Sequence, residues 1–562
     1  MSNVITAIFE YYRMYARLNK LCKILNNIVL PTKYSYTIVI GNIRNNIFYV
    51  AVDYTLASIF SKLGFDVYIL VNDGQLPHHD SLKAQHFPDD VSLSWYRPEN
   101  TEPYKKGWLS ILRRLPAKFA KYLVHLFFPS DLTADLSKSG QTGITFLYYS
   151  QILETYPVDT DMLQSRYLQM KSGIISKNVD ASHKRYFGGR DFDPDKKQHR
   201  DYAELSIKNE IINERVAHYV LSEIKPAIYI TLDGIYTSLG TLVDAMKARN
   251  IPTLIYQPDG FFDRSIRIGT ETAAICNGGD HWRNFTASHY TESARSQTRA
   301  FMDNRLGLNT EALRIIDEKW INLIQKKRQM YRKAVAMFPN LTWDGAIRER
   351  DTVFDGLAAW MKETVEWIKT RDVLLVIREH PQPMHVYNSF ESSLTLLREV
   401  MPDIADYENV VLIEGPERVN SYQLVKDYID CSIVYNGTLG VEIPYMGEPV
   451  IIAANSPYSG KGLGYEPRSK DEYFDYVLNV SRDTDDFQNR KSLIQDNALR
   501  AAAYQFVYSC YYCPLMPTLK AFRSSNRYWQ DWDLNLESLD PGKKPEWQRT
   551  IDRFIEPLTG EK

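Results

Sequence analysis

The sequence of 562 residues has no apolar run of about 18 residues, so no membrane-spanning helix is expected. Its first residues lack the order of a secretory signal peptide. The five cysteines are few, odd in number and scattered, which favours a reducing compartment over a disulfide framework. The net charge of −2 gives no indication of nucleic-acid binding. We therefore expect a cytoplasmic protein of two or three domains.

The chain begins with an amphipathic pattern and continues with a strand–helix–strand unit. Residues 3–30 predict a helix with a basic polar face. Strands are predicted at 36–40 and 66–71, on either side of a helix at 48–63. Because this βαβ order makes neighbouring strands parallel, it indicates a Rossmann-like sheet.

Residues 75–200 interrupt this pattern and predict an insertion, which includes a basic, aromatic stretch at 104–128. Alternating helices and strands then resume, with strands predicted at 227–232, 252–257 and 273–276 and helices over 288–330. We interpret residues 31–330, with this insertion, as an N-terminal Rossmann-like domain that binds an acceptor.

A second α/β series begins at residue 331. Its strands are predicted at 333–338, 373–377, 410–413, 431–435 and 449–453. We interpret 331–487 as a second Rossmann-like domain, and 488–562 as a helical tail that packs back on the first domain. Neither domain contains Gly-x-Gly-x-x-Gly. Two such domains facing a cleft predict an α/β protein of GT-B fold.

A turn of small, hydrogen-bonding residues follows the strand at 431–435 and opens a helical pattern. The turn contains Asn436, Gly437, Thr438 and Gly440. Glu442 lies four residues beyond Thr438, on the same helix face. Free N–H groups at the start of a helix attract anions, so this turn is predicted to bind a phosphate. A plain helix N-cap is the alternative.

A histidine, His380, stands before a proline at the end of the strand predicted at 373–377. A residue before proline is held extended, so its ring can point out at the sheet edge where ligands of open α/β sheets bind. There it would donate a hydrogen bond to a departing phosphate, with Arg378 beside it. The alternative is a loop histidine bonded to the backbone.

In chain order these motifs resemble those of a known group of enzymes. The segments are FPNLTWD (338–344), IREHP (377–381), NSYQLVKDYIDCSIVYNGTLGVE (420–442) and GEPVI (447–451), followed by Tyr458 and Gly460. They look like the C-terminal half of bacterial capsule and lipopolysaccharide glycosyltransferases of GT-B fold. The Kdo-transferase type is most similar, and bacterial sialyltransferases are more distant. TLDGIYTSLGTLVDAMKARNIPTLIY (231–256) is similar to their acceptor-side segment.

The resemblance implies roles for individual residues. In the sialyltransferases an HP motif and a Ser/Thr pair hold the donor phosphate, which implies that role for His380 and for Gly437-Thr438, where only the threonine keeps a hydroxyl. In GT-B enzymes an acidic residue after this turn commonly holds the ribose, which implies that role for Glu442.

An acidic Asp-Gly motif activates the acceptor in the same relatives. It maps to Asp233-Gly234 or to Asp259-Gly260, so both aspartates are candidate catalytic groups. Either would act as a base or, if configuration is retained, as a nucleophile. Both also fit ordinary turn aspartates.

The loop that contains Tyr458 and Lys461 is predicted to close over the sugar or phosphate, although a generic loop is equally compatible. Cys510-x-x-Cys513 stands alone and is weak evidence for zinc, no other His or Cys residues have paired ligand spacing, and no Asp-x-Asp triplet follows an apolar strand. We therefore expect no cofactor and no essential metal.

These observations predict a metal-independent glycosyltransferase. It would move a sugar from a nucleotide-sugar donor, with a CMP-linked donor favoured, to a bacterial surface polysaccharide or lipid-linked glycan. The basic segments 3–30 and 104–128 suit either ordinary packing or peripheral contact with the inner face of the plasma membrane.

Three other functions stay open. They are a CDP-polyol phosphotransferase of teichoic-acid type, a sugar-nucleotide epimerase and a non-catalytic assembly protein. The phosphotransferases usually carry His-Gly where this chain has Asp233-Gly234, which favours sugar transfer.

Overall fold

The structure, a computed structural model, describes residues 2–42, 47–77, 143–259, 262–274, 279–307, 316–342, 344–345, 348, 350–380, 392–524 and 528–559. The basic stretch at 104–128, Gly260, Pro381 and the end of the strand predicted at 273–276 lie outside these residues.

The first sheet of the described part has seven strands in the order β12-β6-β5-β4-β1-β2-β3. The five strands from β5 to β3 are parallel, whereas β6 and β12 are added antiparallel at one edge. The strands are β1 (Thr37–Asn42), β2 (Asp66–Val71), β3 (Ile144–Tyr148), β4 (Ile228–Leu232), β5 (Thr253–Pro258), β6 (Ser265–Gly269) and β12 (Cys510–Tyr512).

The second sheet is entirely parallel in the described residues, in the order β11-β10-β7-β8-β9. Its strands are β7 (Lys333–Phe338), β8 (Val373–Arg378), β9 (Val410–Ile413), β10 (Cys431–Val434) and β11 (Val450–Ile452). Strands β7 and β8 are buried throughout, as expected for a sheet covered on both faces. The two sheets confirm the predicted α/β fold with two Rossmann-like domains.

Helices cover both sheets. Those before β7 are α1 (Ser2–Asn27), α2 (Ile47–Lys62), α3 (Tyr149–Thr155), α4 (Thr160–Lys171), α5 (Lys177–Tyr186), α6 (Lys197–Tyr219), α7 (Thr241–Ala248), α8 (Gly279–Asn284), α9 (Glu292–Arg305) and α10 (Glu318–Arg328). Those after β7 are α11 (Leu357–Ile368), α12 (Ser393–Val400), α13 (Ser421–Tyr428), α14 (Leu439–Tyr445), α15 (Lys470–Asn479), α16 (Asp485–Ala502), α17 (Leu519–Ser524), α18 (Leu536–Leu539) and α19 (Pro545–Thr559).

The insertion predicted at 75–200 is too long, because β3 pairs with β2 inside the first sheet. β3 is an edge strand whose sequence, ITFLY, is largely apolar, but it lies inside the interval assigned to the insertion, so its pairing with β2 was not predicted. The described residues of the strand predicted at 273–276 belong instead to a short 3₁₀ turn. The strand that pairs with β5 on this side is β6, which was not predicted.

The N-terminal helix turns its apolar side into the first domain. Met14, Leu18, Leu21 and Leu25 are buried in the same core as β1 and β2. These apolar side chains are therefore not available to a bilayer. No helix among the residues described above combines the length and apolar character needed to cross one.

The border between the domains differs from the one predicted at residue 331. Helices α9 and α10 place Met302, Leu306 and Ile324 in one core with the strands of the second sheet. The chain therefore crosses to the second domain before α9, at the π-helical segment Phe285–His289.

The chain returns to the first domain after α16, at the π-helical segment Ala503–Tyr508. The two crossing segments pack together, because Phe285 shares a cluster with Ala503 and Tyr504. After the return, β12 joins the first sheet, and Trp547, Ile551 and Phe554 of α19 enter its core. The first domain is therefore built from two separate parts of the sequence.

Candidate functional site

A strained turn follows strand β4 at the carboxyl edge of the first sheet. Asp233, Gly234 and Tyr236 all have positive φ, at 51°, 66° and 70°, and a π-helical segment starts at Tyr236. Positive φ is costly for an aspartate or a tyrosine, and such strain concentrates at functional sites. Backbone bonds hold the turn, since the Asp233 N–H donates to Tyr256 O at 3.0 Å and Asp233 O accepts from the Ala273 N–H at 2.8 Å.

Helix α5 supports this turn from the side. The Ser182 hydroxyl oxygen accepts the Thr237 N–H at 3.0 Å, and the Arg185 guanidinium lies 5.6 Å from the centre of the Tyr236 ring. Tyr236 is buried, which raises the pKa of its phenol and keeps the hydroxyl protonated. Asp233 is half-buried at the same edge.

The carboxyl ends of β10, β7 and β8 are neighbours in the second sheet. Asn436, Asn340 and His380 follow these three strands, and the Asn436 N–H donates to Asn340 Oδ1 at 3.3 Å. Within the described part of the chain, the half-buried Gly437 and Thr438 make no hydrogen bond through their N–H groups. This edge thus presents backbone donors beside a histidine.

The two edges meet across a cleft. A Cβ on Gly345, in the loop after β7, would lie 2.9 Å from the Tyr236 hydroxyl, so the loop contacts the strained turn directly. Asp344, next to it, interacts electrostatically with both Tyr236 and His380. The loop after β7 therefore lies close to both the Asp233 turn and His380.

His380 is solvent-exposed, yet it lies in a concave region with protein around it. This partial desolvation lowers its pKa, and the charge of Asp344 opposes the effect. A lowered pKa keeps the ring neutral at pH 7, with one nitrogen able to donate a hydrogen bond.

Arg378 is not placed for the predicted donor-binding role, because its guanidinium is held by the loop after β9. Its guanidinium is buried and donates to the backbone carbonyls of Glu414, Gly415, Glu417 and Val419. Arg378 is the last residue of β8, whereas His380 lies beyond the end of the strand. The arginine thus holds the loop after β9.

Asp259 is also wrong as a catalytic candidate. Its side chain is 1% exposed, and its carboxylate accepts from Arg267 at 3.1 Å and from the Ser265 hydroxyl at 3.0 Å. Both contacts lie within the β5–β6 hairpin. A carboxylate held in this way cannot reach an acceptor hydroxyl, so Asp233 is the one of the two aspartates that stays a candidate.

Glu442 does not face the cleft as a ribose ligand would. Its side chain is 1% exposed and accepts from Arg305 Nε at 2.6 Å and from the Tyr422 hydroxyl at 3.1 Å. Arg305 belongs to α9, so this ion pair ties that helix to α14. Glu442 therefore stabilises the second domain.

Gly440 and Tyr458 shape the turn from beneath. Tyr458 is buried, its hydroxyl donates to Gly437 O at 2.7 Å, and a Cβ on Gly440 would lie 2.1 Å from that hydroxyl. Gly440 thus makes room for the tyrosine ring, and Tyr458 fixes the turn instead of closing over a ligand. Helix α14 has only seven residues, so the expected helix dipole is small.

Lys461 points away from the turn. Its Nζ donates to Pro457 O at 2.6 Å and lies 5.0 Å from the centre of the Trp282 ring. Thr438 remains at the helix start without a side-chain capping bond, so the plain N-cap alternative is not seen there.

Three residues of this site have no predicted role. Asn340, Asp344 and Tyr236 were inside the quoted segments, but no role was assigned to them. Asn340 and Asp344 follow strand β7, so their position after a central strand was the available signal. No cluster of three or more His, Cys, Asp or Glu residues suited to a metal occurs within the described ranges.

A buried histidine on α5 makes stability depend on pH. Burial lowers the pKa of His183 from its ordinary value of 6.5 to about 3, and neither ring nitrogen has a partner in the described structure. Below pH 6.5 the His183 ring is protonated in the unfolded chain but stays neutral in the folded chain, so stability is lost as pH falls toward 3.

We therefore expect His183→Phe to become more stable than the parent protein as pH falls. The difference should grow by up to about 1.4 kcal/mol per unit between pH 6 and 4. Urea unfolding at several pH values measures it, with His218→Phe, an exposed site, as control. Parallel pH profiles for the His183 variant and the parent would contradict this role.

No protein-family model matches the chain, and no curated protein matches it. Solved structures do match. KpsC of Thermosulfurimonas dismutans, as a β-Kdo 2,7-transferase, is 12% identical over 56% of this chain and 88% of that one, with a TM-score of 0.29. The β-Kdo 2,4-transferase KpsC structure from the same organism is 14% identical over 51% and 81%, with a TM-score of 0.27.

A UDP-GlcNAc 2-epimerase from Neisseria meningitidis, bound to UDP-GlcNAc, is 11% identical over 85% of this chain and 99% of that one, with a TM-score of 0.22. At such identities and scores, the fold assignment rests on the strand order and packing of this chain.

Proposed function

We propose that this protein is a metal-independent GT-B glycosyltransferase that moves a sugar from a nucleotide-sugar to a bacterial surface polysaccharide or lipid-linked glycan. The observation that carries the proposal is the cleft between the strained Asp233 turn and the edge that bears His380, Asn340 and the turn at 436–438. A carboxylate on one side and neutral donors on the other suit acid–base work and phosphate binding, respectively.

In this mechanism the second domain holds the donor phosphate. The N–H groups of Gly437 and Thr438 and one nitrogen of His380 donate hydrogen bonds to its oxygens. These bonds strengthen as the bond between the anomeric carbon and the phosphate oxygen breaks, because negative charge then builds on the phosphate.

The first domain would supply the base. Asp233 takes the proton of the acceptor hydroxyl, whose oxygen bonds to the anomeric carbon as the nucleotide leaves with the bonding electrons. The motif resemblance in residues 338–460 supports a CMP-linked donor.

Nucleotide binding tests the donor half of the proposal. A ligand that binds only the folded state raises the melting temperature, so thermal unfolding is measured with CMP, CDP, UDP, GDP and dTDP, each with and without EDTA. We expect a shift with CMP that EDTA leaves unchanged and that His380→Ala reduces. No shift with any nucleotide would overturn the proposal in favour of a non-catalytic protein.

The two aspartates test the catalytic half. Asp233→Asn should lower transfer from the donor that binds by roughly 100-fold or more while binding persists. Asp259→Asn should retain that rate and lose stability instead, since it weakens a buried ion pair. Turnover of free UDP-sugar without any acceptor would indicate that the protein is an epimerase and not a transferase.

A further inference from the structure

A cavity of about 250 Å³ lies between the two domains, beside the Asp233 turn. Gly234 and Ile235 line it on the side of that turn, and helix α5 forms one wall. The other wall is formed by Thr342, Arg348, Asp351, Asp355, Gly356, Leu357, Ala358 and Leu396. Neither His380 nor the turn at 436–440 is among the described residues that line it. The cavity is therefore separate from the proposed phosphate site but next to the proposed base.

Among the described residues of the lining, carboxylates outnumber cations. The acidic residues are Asp180, Asp191, Asp244, Asp351 and Asp355, against Lys177, Lys184 and Arg348. A ligand in the cavity thus meets a net negative wall.

The cations are already engaged by this chain. Lys177 pairs with Asp244 at 2.7 Å, and Lys184 pairs with Asp180 at 3.0 Å and with Asp191 at 3.1 Å. Arg348 donates to Thr342 O at 2.9 Å and interacts electrostatically with Asp180 and Asp344. Asp351 and Asp355, on the opposite wall, form no ion pair within the described part of the chain, although the Asp351 carboxylate accepts a hydrogen bond from the buried Tyr435 hydroxyl.

A buried hydroxyl at this cavity also lacks a partner. Thr342 is 1% exposed, lines the cavity, and its Oγ1 makes no hydrogen bond in the described structure. Burying a hydroxyl without a hydrogen bond costs free energy, so a ligand hydroxyl here would satisfy it. Leu357, Leu396, Ala181 and Ile235 add apolar surface suited to the C–H face of a sugar ring.

We propose that this cavity is the acceptor subsite and that it selects an uncharged sugar over an acidic one. The inference rests on the proposed function and specifies its acceptor. Each sugar hydroxyl can donate to a carboxylate and accept from a lysine or arginine, whereas a sugar carboxylate would be repelled by Asp351 and Asp355.

A pair of probes that differ only at C6 tests the proposal. Methyl β-glucoside and methyl β-glucuronide are titrated up to about 100 mM, where a millimolar Kd is detectable, with saturation-transfer NMR as the readout. We expect the uncharged glycoside to bind roughly tenfold more tightly. Tighter binding of the glucuronide, or binding of neither probe, would overturn the proposal.

The charge argument has its own variant. Asp351→Asn with Asp355→Asn, both exposed positions, should bring the two affinities to within about twofold by removing the repulsion. Asp201→Asn, an exposed carboxylate on α6 outside the cavity, is the matched control and should leave the preference unchanged. A preference that survives the double substitution would overturn the assignment to these carboxylates.

This outcome is separable from the donor test. If nucleotides raise the melting temperature and the cavity variants do not change glycoside preference, only the acceptor assignment fails. If no nucleotide binds, the proposed function fails first.

Discussion

Replacing His380 with alanine should lower the rate of sugar transfer by about 100-fold or more while leaving thermal unfolding unchanged. Removing one hydrogen-bond donor to charge that develops in a transition state has an effect of this size. Stability should hold because the side chain is exposed. The measurement is kcat with the donor identified by thermal shift, together with the melting temperature of the free protein.

Two variants sharpen this test. His380→Asn keeps an N–H donor near the same position and should recover part of the lost rate. His218→Ala removes an exposed histidine on α6 and should change neither quantity. An unchanged kcat in His380→Ala would remove the histidine from the mechanism.

Replacing Glu442 with alanine should destabilise the second domain by about 3 kcal/mol, the lower end of the range for breaking a buried ion pair. The carboxylate is 1% exposed, whereas Arg305 is 30% exposed and regains some water when left alone. The Tyr422 hydroxyl also loses its acceptor. The midpoint of urea unfolding, followed by tryptophan fluorescence, measures the loss.

A double substitution separates the effect of an unpaired charge from the effect of losing the Glu442 side chain. Arg305→Met with Glu442→Leu should be more stable than Glu442→Ala, because no unpaired charge is left behind. The control is Glu363→Ala, which breaks a pair with Lys470 that is much less buried, with side chains 30% and 43% exposed, and should have a smaller effect. Equal losses in Glu442→Ala and the control would mean that burial of the pair is unimportant.

The strands of the second sheet could be predicted from the sequence because they are buried on both faces. Their apolar runs are nearly continuous, and the predictions at 333–338 and 410–413 match β7 and β9 residue for residue. The edge strand β9 was predicted as well, whereas β3 was missed although its sequence, ITFLY, is largely apolar, because a long stretch of chain separates it from its partner β2. The position of α9 depends on packing against α16, almost 200 residues later, which local patterns do not contain.

The same distinction applies to the site. The ends of β4, β8 and β10 could be located, because each candidate residue follows an apolar strand. Which side chain faces the cleft could not, since Arg378 is the last residue of β8 and bonds to the loop after β9, whereas the exposed His380 lies beyond the end of the strand. Glu442 forms an ion pair with Arg305, which lies 137 positions away in the chain. Asp259 forms one with Arg267 across a hairpin that was not predicted.

The divided first domain has a consequence for the order in which the protein forms during synthesis. The second domain is one continuous stretch, from α9 through α16, and all of it is translated before β12 and α19. The first domain begins earlier but completes its sheet and core only when those last elements emerge from the ribosome. Although domains generally fold as units, N-terminal first, the domain translated first is here the last to be finished.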